Sequence, residues 1–113
     1  MNDLNQIILE GDVLENSETK ELATGTKTTT IKIATERFYK NSNNEQVKEV
    51  CYFDVECYGN GFASLLPNIK KGKCIRVVGR LKQKRWKDEK GKNFSKVVVV
   101  AEHIEVKRGV NEI

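Results

Sequence analysis

Residues 51–58 alternate between two chemical types, and this alternation constrains the fold more than any other feature of the chain. The odd-numbered positions are apolar: Cys51, Phe53, Val55 and Cys57. The even-numbered positions are acidic or phenolic: Tyr52, Asp54, Glu56 and Tyr58. Successive side chains of a β-strand point to opposite faces. The segment therefore predicts a strand with its apolar face toward a core and two tyrosines presented outward together.

Short strands of this kind recur along the chain, with turn-forming residues between them. Strands are predicted at 7–9, at 26–35 with Ile31 and Ile33 facing the core, at 75–86, and at 97–106, where four valines indicate burial on both faces. Residues 16–25 predict a loop, 37–48 and 88–91 predict two long hairpins, and 62–66 predict a brief helix before Pro67. Five strands with one short helix between the third and fourth predict an all-β OB-fold Greek-key barrel. A β-sandwich is the structural alternative, but five strands give it little to pack.

Length and composition fit one domain of this kind. The chain has 113 residues, of which 38% are hydrophobic and 32% charged, which is enough apolar material for a single core. We expect an OB domain over residues 1–107 and a short tail at 108–113. No apolar run approaches the roughly 18 residues needed to cross a bilayer. Residues 1–11 lack the pattern of a signal peptide, so we expect a cytoplasmic protein.

Candidate catalytic and metal-binding groups are sparse. His103 is the single histidine and has no nucleophile placed beside it, while Asp54 and Glu56 form a pair that is common on strand surfaces. Three cysteines occur without a CxxC pair, and reduced, buried thiols are expected: Cys51, Cys57 and Cys74. We therefore expect a binding protein with no catalytic residue, no metal and no cofactor.

Charge is distributed unevenly along the chain, although the formal net charge is only +4. Residues 1–25 contain six acidic side chains and one basic, whereas residues 70–96 contain twelve basic and two acidic. A concentration of cations is typical of a polyanion-binding face, with an ordinary solvated basic surface as the alternative. In the fourth strand the alternation places four of these cations in one row that ends at Trp86: Arg76, Arg80, Lys82 and Lys84.

A surface for an unpaired nucleic-acid strand needs cations for the phosphates and flat rings for the bases. The candidate rings are Tyr39, Tyr52, Tyr58 and Trp86. The candidate cations are Arg76, Arg80, Lys82, Lys84, Arg85 and Lys87. For Tyr39 alone, ordinary packing is the stronger interpretation. The shared polar face of the two strand tyrosines and the basic neighbours of Trp86 favour a stacking role.

Three segments carry a family resemblance: Ile-Leu-Glu-Gly at 8–11, Ile-Ala-Thr at 33–35, and Val-Gly-Arg-Leu at 78–81 followed by a basic run, Trp86, Asp88 and Gly91. In these motifs the chain resembles the bacterial single-stranded DNA-binding protein family, over about residues 5–107. The resemblance implies sequence-independent DNA binding in replication, repair and recombination, near the nucleoid. It implies stacking at the four rings named above, three of them Tyr where Trp or Phe is usual. It also implies a homotetramer whose subunits pair through the first strand.

Two features depart from the family pattern. Asp54 and Glu56 share a strand face with the stacking tyrosines, where they either pair with basic residues of a neighbouring strand or weaken binding. The family continues into an acidic-tipped tail that recruits replication and repair proteins, and the chain up to Ile113 carries no such tip. Protein partners are thus expected only where a native tail exists. Both features keep open a second interpretation, a dimeric primosome-type OB-fold module that mainly contacts other proteins.

Overall fold

Six β-strands form the fold in a computed structural model that describes residues 2–107. They are β1 (Ile7–Val13), β2 (Glu18–Glu21), β3 (Lys27–Lys40), β4 (Gln46–Tyr58), β5 (Cys74–Lys87) and β6 (Asn93–Lys107). Neighbouring strands follow the order β1-β5-β6-β4-β3-β2, and β1 also pairs with β3. That last pairing closes β1, β3, β4, β5 and β6 into a five-stranded barrel. The predicted OB-fold barrel is confirmed, while the tail predicted at 108–113 lies outside the described residues.

The barrel interior is filled by the apolar positions that the alternation predicted. Ile31, Ile33 and Val55 are completely buried. Three of the four consecutive valines, at positions 98–100, are at most 5% exposed, so the expected burial on both faces of that strand is confirmed there. The described core comprises Val13, Ile31, Ile33, Val55, Cys57, Ile69, Ile75, Val77, Val99, Ala101 and Ile104.

A β-bulge in β6 interrupts the regular alternation of sides in the last strand. Val78 lies opposite His103 and Gly79 opposite Ala101, so Glu102 is left over between them. The strands approach so closely here that a Cβ on Gly79 would lie 2.1 Å from the Val100 carbonyl oxygen. Only glycine fits this position. Beyond the bulge, Ile104 is the first apolar side chain that again faces the interior.

Two connections differ from the prediction. The helix is a 3₁₀ turn at Leu66–Asn68 that contains Pro67, whereas the expected position was 62–66. A proline suits the first turn of a helix, because its missing N–H would have no helical partner there. Within the loop predicted at 16–25, β2 pairs with β3 as a short edge strand, and the hydroxyls of Thr19 and Thr29 lie 2.8 Å apart. Its four residues are all exposed, so no apolar alternation marked it.

Both hairpins are closed by a side chain that accepts backbone hydrogen bonds across the turn. Asn41 Oδ1 accepts from the N–H groups of Asn43 and Glu45 at 3.0 and 2.9 Å. Asp88 Oδ1 accepts from Lys90 and Lys92 at 2.9 and 2.8 Å. Such turns close each ribbon through hydrogen bonds to an Asn or Asp side chain. No helix among residues 2–107 is long and apolar enough to cross a membrane.

Candidate nucleic-acid interface

One outer face of the barrel gathers aromatic, basic and acidic side chains from three strands. We call it the ring face and define it by Tyr52, Asp54, Glu56, Tyr58, Lys82, Lys84, Trp86, Phe94 and Lys96. The antiparallel register of β5 and β6 sets Lys84 opposite Lys96 and Trp86 opposite Phe94. Contacts between side chains join these strands to β4. A concavity here is lined by five ring-face residues, Asp54, Glu56, Lys84, Trp86 and Lys96, together with Thr30, Arg85 and Val98.

Glu56 lies at the centre of the ring face but is only 4% exposed, so the outward position predicted for it is wrong in that respect. Its carboxylate accepts a 2.6 Å hydrogen bond from the Tyr58 hydroxyl and forms a 2.7 Å ion pair with Lys84. These two side chains cover it. Burial by itself would raise the pKa of Glu56, but the hydrogen bonds from Lys84 and Tyr58 outweigh burial and lower it.

Tyr58 is fixed from two sides in this cluster. Burial, together with the hydrogen bond donated to Glu56, raises the pKa of the Tyr58 phenol to about 12. The Lys82 ammonium lies 5.2 Å from the centre of the ring and donates to the hydroxyl oxygen at 3.4 Å. The Lys82 ammonium thus lies over the Tyr58 ring within the protein.

Asp54 makes the second acidic contact on the ring face. Its carboxylate is bonded to the Lys96 ammonium, and its side chain is 21% exposed. The expected pairing with a basic residue of a neighbouring strand is confirmed for Asp54, because Lys96 lies on β6. Glu56 is also paired, but its partner Lys84 lies on β5, one strand further away. The sequence did not identify Lys96 as a site residue, because its contact with Asp54 depends on how β6 reaches β4.

Tyr52 and Trp86 are the most accessible rings of the predicted set. Tyr52 is 69% exposed and Trp86 is 49% exposed. Trp86 stacks on Phe94, with ring centroids 5.9 Å apart and an angle of 17° between the planes. Phe94 had not been predicted as a site residue, although its place across the second hairpin from Trp86 follows from counting outward from the turn.

Tyr39 lies on the opposite side of the β3–β4 ribbon from the ring face. The register pairs Tyr39 with Val47 and Tyr52 with Ala34. Paired residues share a side of the sheet and sides alternate along each strand, so the two tyrosines lie on opposite sides of the ribbon. The Arg37 guanidinium lies 5.0 Å from the centre of the Tyr39 ring. Phe38, which sequence reasoning did not single out, shares the side of Tyr52 and is 58% exposed.

The predicted cations divide into three groups. The first group lies on the same side of β5 as Trp86 and forms a row with it: Arg80, Lys82 and Lys84. Arg85 and Lys87 alternate with Trp86 along β5, and Arg85 donates to Gln83 at 2.9 Å.

Arg76 lies ten residues from Trp86 in β5, within a separate outer surface that we call the β1 patch: Ile8, Glu10, Arg76, Val78, His103 and Glu105. There Arg76 pairs with Glu10 at 3.3 Å and with Glu105 at 3.8 Å. Hydrogen bonds from Lys107 and Arg76 lower the pKa of Glu10. The structure therefore does not bring Arg76 together with the rings.

The candidate catalytic and metal-binding side chains do not lie together in one cluster. His103 is exposed in the β1 patch, and its Nε2 lies 3.5 Å from Glu105. The three cysteines are free; Cys57 is buried while the other two are half-buried, and burial raises the pKa of the Cys57 thiol to about 12. Residues 2–107 contain no group of three or more His, Cys, Asp or Glu side chains able to hold a metal ion.

Comparison with known proteins points to one family. The model of the single-strand binding protein family matches residues 4–107. The single-stranded DNA-binding protein of Aquifex aeolicus is 36% identical over 101 residues, covering 89% of this chain and 68% of the relative. That of Wolinella succinogenes is 34% identical over 102 residues, covering 90% of this chain but 63% of the relative.

Solved structures share the fold. A structure described as the Plasmodium falciparum SSB complex with ssDNA superposes with a TM-score of 0.86 at 22% identity, covering 96% of this chain and 98% of that one. Wild-type single-stranded DNA binding protein from Thermus aquaticus gives a TM-score of 0.80 at 25% identity, covering 97% of this chain and 53% of that one. With a family match that includes every strand of the barrel, the chain belongs to the single-strand binding protein family.

Proposed function

We propose that this protein binds single-stranded DNA without reading its base sequence and acts in replication, repair and recombination. The observation that carries the proposal is the shared ring face: Tyr52, Tyr58 and Trp86 come from two strands yet lie on one side of the barrel. A strand following that side would meet exposed ring surface at several steps. Relatives that are named single-stranded DNA-binding proteins support the same function.

Stacking is the dominant source of affinity in this proposal. Each base that stacks on an aromatic ring contributes about 1–3 kcal/mol. Tyr52 and the Trp86–Phe94 pair offer the largest accessible ring surfaces among the described side chains of the ring face. Arg80 and Lys82 supply charge for phosphates beside them. No bond is made or broken in such binding, so the protein acts without catalysis and needs no cofactor.

Titration with dT oligomers of graded length, followed by Trp86 emission, tests the proposed function. We expect quenching on binding, much weaker binding to duplex of the same length, and affinity that falls with salt at a log–log slope of about −0.7 per neutralised phosphate. Equal affinity for duplex and single strand would contradict the proposal, as would the absence of binding at low salt.

We further propose a homotetramer in the cytoplasm, assembled through β1. Within the described residues, β1 pairs with β3 only at Asp12 and Val13, which leaves the edge of β1 from Ile7 to Glu10 open to a second copy. Ile8 in the β1 patch is 66% exposed, so the outer side also offers apolar area for assembly. Mass measurement in solution tests this proposal. A dimer would contradict it and favour the primosome-type interaction module.

A further inference from the structure

Two lysines at the centre of the ring face are already neutralised within the protein. Lys84 pairs with Glu56, and Lys96 pairs with Asp54, each across a strand boundary. Both lysines are about half exposed, with 45% and 51% of the side chain accessible. They are therefore within reach of a bound strand, yet a carboxylate on β4 holds each of them.

The Glu56 pair resists replacement by a phosphate. The Glu56 side chain is only 5% exposed, so a phosphate that drew Lys84 away would leave a buried carboxylate without its cation. Removing one partner of a buried ion pair is strongly unfavourable, because the remaining charge is neither solvated nor compensated. A phosphate at Lys84 would also approach the Glu56 oxygen that lies 2.7 Å from the ammonium, and like charges repel.

We propose that Asp54 and Glu56 keep Lys96 and Lys84 in ion pairs that persist when DNA is bound, so that these lysines neutralise no phosphate. The carboxylates thereby set how strongly, and with what salt dependence, the ring face binds a single strand. This inference rests on the proposed function. Phosphates are left to cations at the margin, such as Arg80 and Lys82, while the centre of the ring face contributes stacking.

Neutral, nearly isosteric variants test the inference. Glu56→Gln and Asp54→Asn each remove a carboxylate while keeping polar atoms in place, and dT affinity is measured at several salt concentrations. Each variant should bind more tightly at low salt and steepen the log–log salt slope by about 0.7, because one released lysine can neutralise one phosphate. Glu21→Gln is the matched control: it makes the same change in net charge on β2, facing Lys27 rather than the ring face, and should keep the original slope.

A second pair of variants separates a released lysine from a general charge effect. Lys96→Gln alone should leave the slope unchanged, because Lys96 contributes no phosphate contact while Asp54 holds it. In the Asp54→Asn background the same change should return the steepened slope to its original value. This design uses the Asp54–Lys96 pair because the Asp54 side chain is more exposed than that of Glu56. Thermal unfolding verifies that each variant is folded.

Three results would overturn the inference: tighter binding with an unchanged slope, which means that the ion pairs break on binding; unchanged affinity and slope; or a shallower slope for Lys96→Gln alone. Failure of the original protein to bind dT would instead contradict the proposed function. The two failures are therefore distinguishable in one set of titrations.

Discussion

The two hairpins are alike in construction and different in surface. Each is a long antiparallel ribbon closed by an Asn or Asp side chain that accepts two backbone hydrogen bonds. Residues 36–49 of the first contain three basic and three acidic side chains, whereas residues 82–96 of the second contain seven basic and two acidic. The same backbone element thus carries a balanced surface in one place and a cationic one in the other.

Charge in the first hairpin is largely satisfied within the hairpin itself. Arg37 pairs with Glu49 at 3.6 Å, and Lys48 pairs with Glu36 at 3.1 Å. Such exposed pairs add little stability, but they leave little excess charge to attract a polyanion. We infer that the second hairpin dominates DNA binding and that the first contributes mainly ring surface.

Trp86→Ala offers the strongest test of this difference. The variant should bind dT more weakly by about 1–3 kcal/mol, or roughly 5- to 150-fold, because the most accessible part of a stacked ring pair is lost. Anisotropy of a labelled oligomer measures the change, since the variant has no tryptophan. Trp86→Phe, which keeps a ring, should lose less. Unchanged affinity in Trp86→Ala would remove the second hairpin from the site.

Phe38→Ala and Tyr39→Ala compare the two sides of the first hairpin at neighbouring positions. Phe38 shares the side of Tyr52, so its removal should weaken binding by about 1 kcal/mol, at the lower end for a stacking ring. Removal of Tyr39, on the other side and beside Arg37, should have a smaller effect. The same anisotropy titration measures both. A larger loss for Tyr39 would mean that the strand crosses to the opposite side of the ribbon.

Acid titration tests the contact between β4 and the base of the second hairpin, and its expected effect is the smallest. The folded protein lowers the pKa of Glu56, so this carboxylate contributes stability at pH above its ordinary value of 4.5, and the contribution is lost as pH falls below it. Chemical unfolding at several pH values should therefore show a weaker loss of stability toward acid in Glu56→Gln than in the original protein. Equal losses would mean that the Lys84 contact contributes nothing.

Period-two alternation predicted the parts of this fold that depend on one strand at a time. Ile31, Ile33 and Val55 occupy the core as expected, because the side on which a residue lies follows from counting along its own strand. The same counting could have separated Phe38 from Tyr39, since both follow Ile33 without a break in β3. The family resemblance identified Tyr39 without reference to this parity.

Features that depend on two distant segments could not be predicted in this way. Glu56 is buried because Lys84, 28 residues further along, and the neighbouring Tyr58 cover it. Likewise, nothing in the alternation of β6 alone identifies Glu102 as the extra residue, because a bulge is defined by the spacing of the partner strand.

The bulge at Glu102 decides which side of the sheet the last residues of β6 occupy. Before it, Lys96 and Val98 lie on the outer side; beyond it, His103 and Glu105 do. Strict alternation from Ala101 through Glu102 would instead turn an imidazole and a carboxylate toward the apolar interior and Ile104 outward. One residue left out of the ladder therefore keeps the surface proposed for assembly and the surface proposed for DNA on the outside of the same strand.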